Sequence, residues 1–335
     1  MIRTTPAASK LVICVGHPFD LWRPPQQMSL AVKRRFPEMG VVHLPDCSGL
    51  DAELPDTVIF AGYFIRANQL RLAKRLKWIH STAAGISELI SPELLESGIL
   101  VTNASGVHSI TIAEHVLGML LALARRFPDA VCSQLKSRWA QQEIWKATPP
   151  PQELRGAMLL LIGLGAVGRA VAELARAIGM RTVAVTRSGR GDDTLAEKIF
   201  AASNLDAAIA EADYVVLAAP ETSETRQLFA ARQFAAMKPS SCFINVARGS
   251  LVDEVALVAA LQERKIAAAA LDVTAQEPLP PESPLWHCPN LFITPHLAGA
   301  SDHLWKRQTE LLIDNLERWF DGRELVNVVE LKRGY

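Results

Sequence analysis

The 335-residue sequence has no net charge and few cysteines. Lysine plus arginine and aspartate plus glutamate each total 35, so no global field attracts nucleic acid or an anionic membrane. No CxxC pair occurs and the histidines show no metal-ligand spacing, which disfavours a zinc, redox or other metal site. We therefore expect no bound metal and a reducing compartment in which the cysteines are packed thiols, namely Cys14, Cys47, Cys132, Cys242 and Cys288.

Long hydrophobic runs and nucleophile motifs are missing as well. The run Leu11–Val15 is too short for a signal peptide, and the run Leu117–Ala124 stops at two arginines, well short of a membrane span. No GxSxG occurs, and Cys242 lies in an apolar strand pattern where inert packing is expected. These absences favour a soluble, cytoplasmic protein that forms no covalent intermediate and has neither a nucleic acid nor a membrane as its partner.

Short apolar segments alternate with helical segments twice along the chain. This alternation predicts parallel sheets covered by helices, and so an α/β protein with two doubly wound domains. The predicted strands are Leu11–Gly16, Val41–Leu44, Thr57–Ala61, Trp78–Ser81 and Ile99–Thr102, then Met158–Ile162, Arg181–Thr186, Tyr214–Ala218, Cys242–Val246, Ile266–Leu271 and Leu291–Thr294. The main predicted helices are Met28–Phe36, Asn68–Arg75, Thr111–Arg126, Val167–Ile178, Glu254–Arg264 and Ala300–Phe320.

The last predicted helix has no strand after it, so we expect it to return to the first domain and make that domain discontinuous. We accordingly assign residues 1–104 and 297–335 to one domain and residues 105–296 to the other. A proline run, Thr148–Pro151, falls inside the second range and predicts a turn rather than a boundary.

A glycine-rich turn marks the second domain as a dinucleotide-binding Rossmann unit. Gly163, Gly165 and Gly168 stand between an apolar strand and a helix, the context that the GxGxxG motif requires. Gly163 allows the tight turn, Gly165 lets the backbone approach a pyrophosphate, and Gly168 permits close helix–strand packing. The amides at the helix start, Ala166 and Val167, then face the phosphates with a favourable dipole.

The second strand of this unit ends where an NAD-preferring site would carry an acid. The chain instead has Thr186 followed by Arg187, Ser188, Gly189 and Arg190. The two arginines can pair with a 2′-phosphate and Ser188 can donate a hydrogen bond, so this segment predicts NADP(H) over NAD(H). The alternative is that both arginines only solvate a loop.

Three polar residues follow apolar strands in the second half of the chain: Arg248, Glu277 and His296. Ligands of open α/β sheets bind at the carboxyl ends of strands, so the three side chains could share one crevice. Imidazole suits acid–base work near neutral pH, and a carboxylate partner such as Glu277 favours its charged form. The guanidinium of Arg248 stays charged and forks, which suits a substrate carboxylate and carbonyl. Taken singly, each could be an ordinary structural or solvated residue.

These motifs, in this order, resemble the D-isomer-specific 2-hydroxyacid dehydrogenase family. The resemblance covers nearly the whole chain and is dense from Val101 to Gly299. It rests on Asn103–Gly106, Ile112–His115, Gly163–Arg169, Asn245–Gly249, Asp272-Val273 with Glu277-Pro278, and Thr294–Gly299. It implies a Rossmann cofactor domain, a flavodoxin-like substrate domain, and hydride transfer between NAD(P)H and a small 2-oxo or D-2-hydroxy acid.

The resemblance implies further site residues and a homodimer. The substrate carboxylate would meet Ala84, Gly85 and Ile86, although Ser87 stands where many members have an acid. The cofactor site would add Ala219, Pro220, Val246, Ala247, Asp272, His296 and Ala298. Asp272 could equally be a strand-end turn residue. Core packing is the safer interpretation of Trp286, which could otherwise rim the pocket. The region Thr111–Arg126 with Pro128–Trp145 would form a two-fold contact.

Other functions remain open on the same scaffold. A dinucleotide-sensing binding protein, similar to the corepressors that resemble this family, could keep all three polar residues. The short tails, with no peptide-binding or disordered region, favour an enzyme. Formate dehydrogenase is disfavoured because its histidine partner resembles glutamine rather than Glu277. The substrate itself, whether glyoxylate, hydroxypyruvate or a larger 2-oxo acid, does not follow from the fold.

Overall fold

The computed structural model describes residues 5–332, which form two compact units. The first unit runs to His108 and resumes at Ala300, and the second is Ser109–Gly299. These boundaries lie four and three residues beyond the 104/105 and 296/297 boundaries inferred from the sequence. None of the helices in the described residues is long and apolar enough to cross a membrane.

The first unit contains a five-stranded parallel sheet. Its order is β2-β1-β3-β4-β5, the flavodoxin-like order that the family resemblance implies. The strands are β1 Lys10–Cys14, β2 Gly40–Leu44, β3 Ile59–Gly62, β4 Trp78–Ser81 and β5 Leu100–Thr102, and the helices between them are α1 Gln26–Arg35, α2 Leu50–Glu53, α3 Ala67–Leu72 and α4 Pro92–Ser97.

The second unit contains a seven-stranded parallel sheet in the order β12-β11-β10-β9-β6-β7-β8, the Rossmann order with one added strand. Three helices, α5 Ser109–Ala124, α6 Phe127–Leu135 and α7 Gln141–Trp145, precede it. Its strands are β6 Met158–Ile162, β7 Arg181–Thr186, β8 Lys198–Ala201, β9 Tyr214–Leu217, β10 Cys242–Asn245, β11 Ala268–Leu271 and β12 Leu291–Ile293, with helices α8 Ala166–Ala177, α9 Leu205–Glu211, α10 Ala231–Ala236 and α11 Glu254–Gln262.

The expectation of six strands in this unit was wrong, because it omitted β8. This strand is the edge of the sheet and pairs only with β7 among the described strands. Only Phe200 of its four residues is buried, so it lacks the apolar run that marks the central strands. The inner strands β9, β10 and β11 are buried along their whole length, because helices cover both faces of the sheet.

The C-terminal helix, α12 Leu304–Asp321, belongs to the first unit, as its lack of a following strand predicted. Leu312 and Leu316 are fully buried in one core cluster with Leu11, Ile59 and Trp78 of the first sheet. The helix begins at Leu304, four residues later than the sequence pattern suggested.

The expectation of five reduced thiols was also wrong. Cys14 and Cys47 form a disulfide, whereas Cys132, Cys242 and Cys288 are free. Cys14 ends β1, and its register partner on β2 is Leu44, three residues before Cys47, so the two Cα atoms lie 5.3 Å apart. The two cysteines are 33 residues apart in the chain, and only the pairing of β1 with β2 brings them together. The disulfide removes one ground for inferring a reducing compartment.

Candidate active site

The three polar residues singled out in the sequence follow neighbouring strands of the second sheet. Arg248 follows β10, Glu277 follows β11 and His296 follows β12, and these strands are adjacent in the sheet order. Because all three strands are parallel, the residues lie beyond the same edge of one sheet. The strand order thus brings together residues that are up to 48 positions apart in the chain.

His296 and Glu277 are in direct contact. Nδ1 of His296 lies 2.5 Å from Oε2 of Glu277, and the other oxygen of Glu277 accepts a hydrogen bond from the Thr274 amide at 3.0 Å. Burial alone would raise the pKa of Glu277, but hydrogen bonds from His296 and Thr274, with the charges of His296 and Arg248, hold that pKa below its usual range. With Nδ1 engaged, Nε2 of His296 is the nitrogen left to meet a ligand.

The backbone around Arg248 is fixed by Asn245, a residue that the sequence analysis left without a role. The Asn245 side chain donates to the Arg248 carbonyl at 2.9 Å and accepts from the Ala247 amide at 3.0 Å. Arg248 Nη1 donates to the Ala247 carbonyl at 2.7 Å, and the side chain is half-buried. An asparagine two or three residues before a turn is a known signal for such side-chain-to-backbone bonds.

Gly249 brings the Arg248 loop against the Glu277 loop. A Cβ atom at position 249 would lie 1.9 Å from the carbonyl carbon of Thr274, so only glycine allows the observed approach. Thr274 is also the residue whose amide binds Glu277. The two loops that carry the cation and the carboxylate therefore touch through backbone atoms.

Asp272 binds the loop that carries His296. Its carboxylate oxygens accept from the Leu297 amide at 2.9 Å and the Ala298 amide at 3.0 Å, and its carbonyl accepts from the His296 amide at 2.9 Å. The side chain of Thr294 also donates to Asp272. Asp272 is only 3% exposed, and whether it also meets a nicotinamide carboxamide stays a prediction.

The glycine-rich turn has the geometry that a dinucleotide needs. Gly163 has φ +102°, and a Cβ there would lie 2.7 Å from the Ala218 carbonyl oxygen. A Cβ on Gly168 would lie 2.1 Å from the Gly163 carbonyl oxygen, whereas a Cβ on Gly165 would meet open space. Gly165 precedes the first residue of α8, where the exposed Ala166 and the half-buried Val167 begin the helix. This cradle fits a pyrophosphate at a helix N-terminus.

The remaining predicted cofactor residues lie at other carboxyl ends of the same sheet. Ala219 and Pro220 follow β9, and Ala219 lies beside the Gly163 turn. Val246 and Ala247 follow β10 and are buried, and Ala298 is a buried residue of the His296 loop. The segment after β7 is a hydrogen-bonded turn in which Thr186 Oγ1 donates to the Arg190 carbonyl at 2.9 Å. Arg187, Ser188 and Arg190 are all exposed on it.

The predicted carboxylate loop lies in the first unit. Asn103 donates to the Ala84 carbonyl at 2.8 Å, and Ile86 is buried while Ala84 and Gly85 are exposed. His80, which precedes this loop, is fully buried, and burial lowers its pKa to about 4. His80 is therefore neutral near pH 7 and unsuited to protonating a substrate there.

Comparison with known proteins shows the family of this chain. The family model described as "D-isomer specific 2-hydroxyacid dehydrogenase, NAD binding domain" matches residues 117–298, more than half of the chain. A glyoxylate reductase from Korarchaeum cryptofilum is 32% identical over 317 residues, which cover 92% of this chain and 89% of the relative. The chain belongs to the D-isomer specific 2-hydroxyacid dehydrogenase family.

Other relatives differ in length. A D-3-phosphoglycerate dehydrogenase from Synechocystis is 35% identical over 273 residues, which cover 77% of this chain, yet the chain spans only 46% of that relative. A family member from Aeromonas salmonicida superposes with TM-score 0.81 at 29% identity, covering 97% of this chain and 99% of that one. An NADPH-dependent glyoxylate/hydroxypyruvate reductase from Sinorhizobium meliloti, solved with NADP and malonate, gives 0.76 at 28%, covering 98% of each chain.

Proposed function

We propose that this family member reduces small 2-oxo acids to D-2-hydroxy acids with NAD(P)H, or runs the reverse reaction. The observation that carries the proposal is the contact of His296 with Glu277, with the charge of Arg248 acting on the same carboxylate. An acid–base imidazole, its carboxylate partner and a guanidinium are what reduction of a 2-oxo acid requires.

The proposed mechanism gives each of the three side chains one role. A reduced nicotinamide cofactor, held at the Gly163–Gly168 turn, would supply the hydride for C2. Arg248 binds the substrate carboxylate and polarises the C2 carbonyl, because its guanidinium offers several fixed donors. Nε2 of His296 gives its proton to the carbonyl oxygen as the double bond becomes a single bond. Glu277 holds Nδ1 and stabilises the imidazolium that this step consumes.

A panel of 2-oxo acids, followed by loss of reduced-cofactor absorbance, tests the proposal. We expect turnover of at least one small acid and no turnover of its uncharged amide or ester, because the amide offers Arg248 no charge. The same panel separates an enzyme from a dinucleotide-sensing binding protein of this scaffold. The proposal would be contradicted if the protein bound cofactor but neither reduced any 2-oxo acid nor oxidised any 2-hydroxy acid.

We also propose that the cofactor site prefers NADP(H). Arg187 and Arg190 follow β7 on a turn held by backbone and Thr186 hydrogen bonds, so both side chains start from a fixed backbone. The nearest following acid, Asp192, is bound to Arg169 at 2.9 Å and to Thr194. These contacts, of which the hydrogen bonds from Thr194 have the largest effect, hold the pKa of Asp192 below its usual range. Its carboxylate is thus engaged by protein groups, and the related Sinorhizobium reductase was solved with NADP.

The double change of Arg187 and Arg190 to alanine tests this preference. A charge-assisted hydrogen bond contributes roughly 1.5–3 kcal/mol, so we expect the native preference in kcat/KM to be about tenfold or more and to vanish in the variant. The matched control is the double change Arg181→Ala with Arg232→Ala, which removes the same charge from exposed ion pairs elsewhere in the unit. Equal kcat/KM for NADH and NADPH in the native protein would contradict the proposed preference and show that both arginines are only solvated loop residues.

We further propose a homodimer formed through α5, α6 and α7. Large apolar side chains are exposed along this region, Leu135 at 82% and Trp139 at 91%, with Phe127, Val131 and Trp145 each more than half exposed. So many exposed large apolar side chains in one region are unusual on a monomer, and a two-fold contact would bury them.

A further inference from the structure

A half-buried chain of hydrogen bonds runs from helix α5 to the loop that carries His296. Nε2 of His115, on α5, lies 3.0 Å from Oγ1 of Thr294, which lies 2.6 Å from Oδ1 of Asp272. The same Asp272 oxygen accepts from the Leu297 amide, and the other accepts from the Ala298 amide. His115 and Thr294 are 179 positions apart in the chain, and the proposed chemistry uses neither.

The direction of each bond follows from the number of protons available. A carboxylate can only accept, so the single hydroxyl proton of Thr294 points to Asp272. Thr294 must then accept at its other contact, and His115 must donate from Nε2. Every donor in the chain therefore points toward Asp272. The His115 ring acts through Thr294, and its Nε2 also lies 3.5 Å from Oδ1 of Asp272; the amides of Leu297 and Ala298 follow.

The chain ends on the backbone that fixes His296. His296 has φ +53°, a left-handed conformation that a residue with a side chain seldom adopts without support. Its amide donates to the Asp272 and Thr294 carbonyls, and the next two amides bind the Asp272 carboxylate. Both residues that bind the His296 amide are thus members of the chain.

We propose that His115 and Thr294 are positioning residues, which hold Asp272 so that the 296–298 backbone aims the His296 ring at substrate. The proposal rests on the function proposed above. Displacing a catalytic group by about 1 Å can lower the rate about 100-fold. Loss of this hydrogen-bond chain should therefore lower kcat measurably, although neither residue meets the reacting atoms.

Pairs of variants separate the hydrogen bonds from the bulk of the side chains. Thr294→Val removes the hydroxyl at nearly constant shape, and Thr294→Ser keeps it. His115→Leu removes the donor, and His115→Gln offers an amide in its place. We expect kcat to fall about 10- to 100-fold in Thr294→Val and His115→Leu, with KM for the 2-oxo acid changed less than threefold because Arg248 is untouched. Thr294→Ser and His115→Gln should restore most of kcat.

Amide hydrogen exchange at Leu297 and Ala298 gives a readout that needs no substrate. Exchange at both positions should accelerate in Thr294→Val and stay native in Thr294→Ser. Thr182→Val is the control, since Thr182 is a buried threonine near the amino end of strand β7 whose hydroxyl donates to the Leu195 carbonyl. It should change neither exchange at these amides nor kcat.

The two proposals can fail separately. Native kcat in Thr294→Val, whatever its exchange rates, would overturn the positioning role while leaving the reductase function intact. If the native protein turns over no 2-oxo acid, the proposed function fails. In that case, unchanged amide exchange in Thr294→Val would also overturn the role of the hydrogen-bond chain. Faster exchange would show that the chain holds this loop in place.

Discussion

The contact between the Arg248 loop and the Glu277 loop gives the sharpest test of the site's geometry. Gly249→Ala adds one methyl group and removes no functional group. That methyl would lie 1.9 Å from the Thr274 carbonyl carbon, whereas ordinary contact begins at 3.4 Å. The difference means that the loops must separate by about 1.5 Å, a displacement large enough to cost about 100-fold in kcat/KM.

The expected loss is specific to the site. Overpacking of this kind also destabilises a protein by roughly 1–3 kcal/mol, so thermal unfolding is measured beside kcat/KM for the best 2-oxo acid. Gly40→Ala is the control, because a Cβ there would make ordinary contact at 3.7 Å in the first unit. We expect the variant to remain folded and to bind cofactor while turnover falls. Activity within threefold of native would refute the argument that the loop contact sets the catalytic geometry.

The remaining predictions concern the side chains themselves and the quaternary state. His296→Asn should lower kcat about 10²–10⁴-fold with cofactor binding retained, whereas the control His303→Asn should keep the native kcat. Glu277→Gln should lower kcat and change the pH–rate profile, because the side chain that binds Nδ1 of His296 no longer carries a charge. Since folding lowers the pKa of Glu277, its stabilising effect is present above the ordinary value of 4.5 and lost as pH falls through the lower folded value, so chemical denaturation of the native and Gln variants should converge in acid. Arg248→Lys should raise KM and reduce kcat, since the charge stays but the fork is lost; native constants in this variant would exclude a bidentate contact. Light scattering should give a dimer at micromolar concentration, and a stable monomer mass there would contradict the two-fold contact.

The sequence was sufficient for the features that depend on periodicity and on strand ends. The apolar runs predicted both parallel sheets, because strands buried on two faces are apolar throughout. The same rule failed for β8, whose Lys198 and half-buried neighbours leave no such run at the sheet edge. The apolar runs also do not predict that Cys14 pairs with Cys47, since the distance between the two cysteines depends on which strands are neighbours in the sheet.

Some residues of the candidate site could likewise be predicted from the sequence and others could not. Arg248, Glu277 and His296 could be singled out because each follows an apolar strand, and parallel strands carry their following residues to a common edge. Asn245 binds backbone, Gly249 allows two loops to touch, and Thr294 links His115 to Asp272. A sequence does not reveal which atoms such residues will meet.

The support of His296 illustrates why such contacts escape sequence reasoning. Asp272 was assigned to the cofactor by family resemblance, yet in the structure its two oxygens are taken by Thr294, Leu297 and Ala298. A buried carboxylate that accepts three hydrogen bonds is compatible with its surroundings because those donors compensate for lost water. Removing one donor therefore affects the others, and the effect reaches His296 through the backbone they share. Whatever substrate this family member takes, the accuracy with which His296 meets it depends on a helix residue, His115, that lies outside the chemistry.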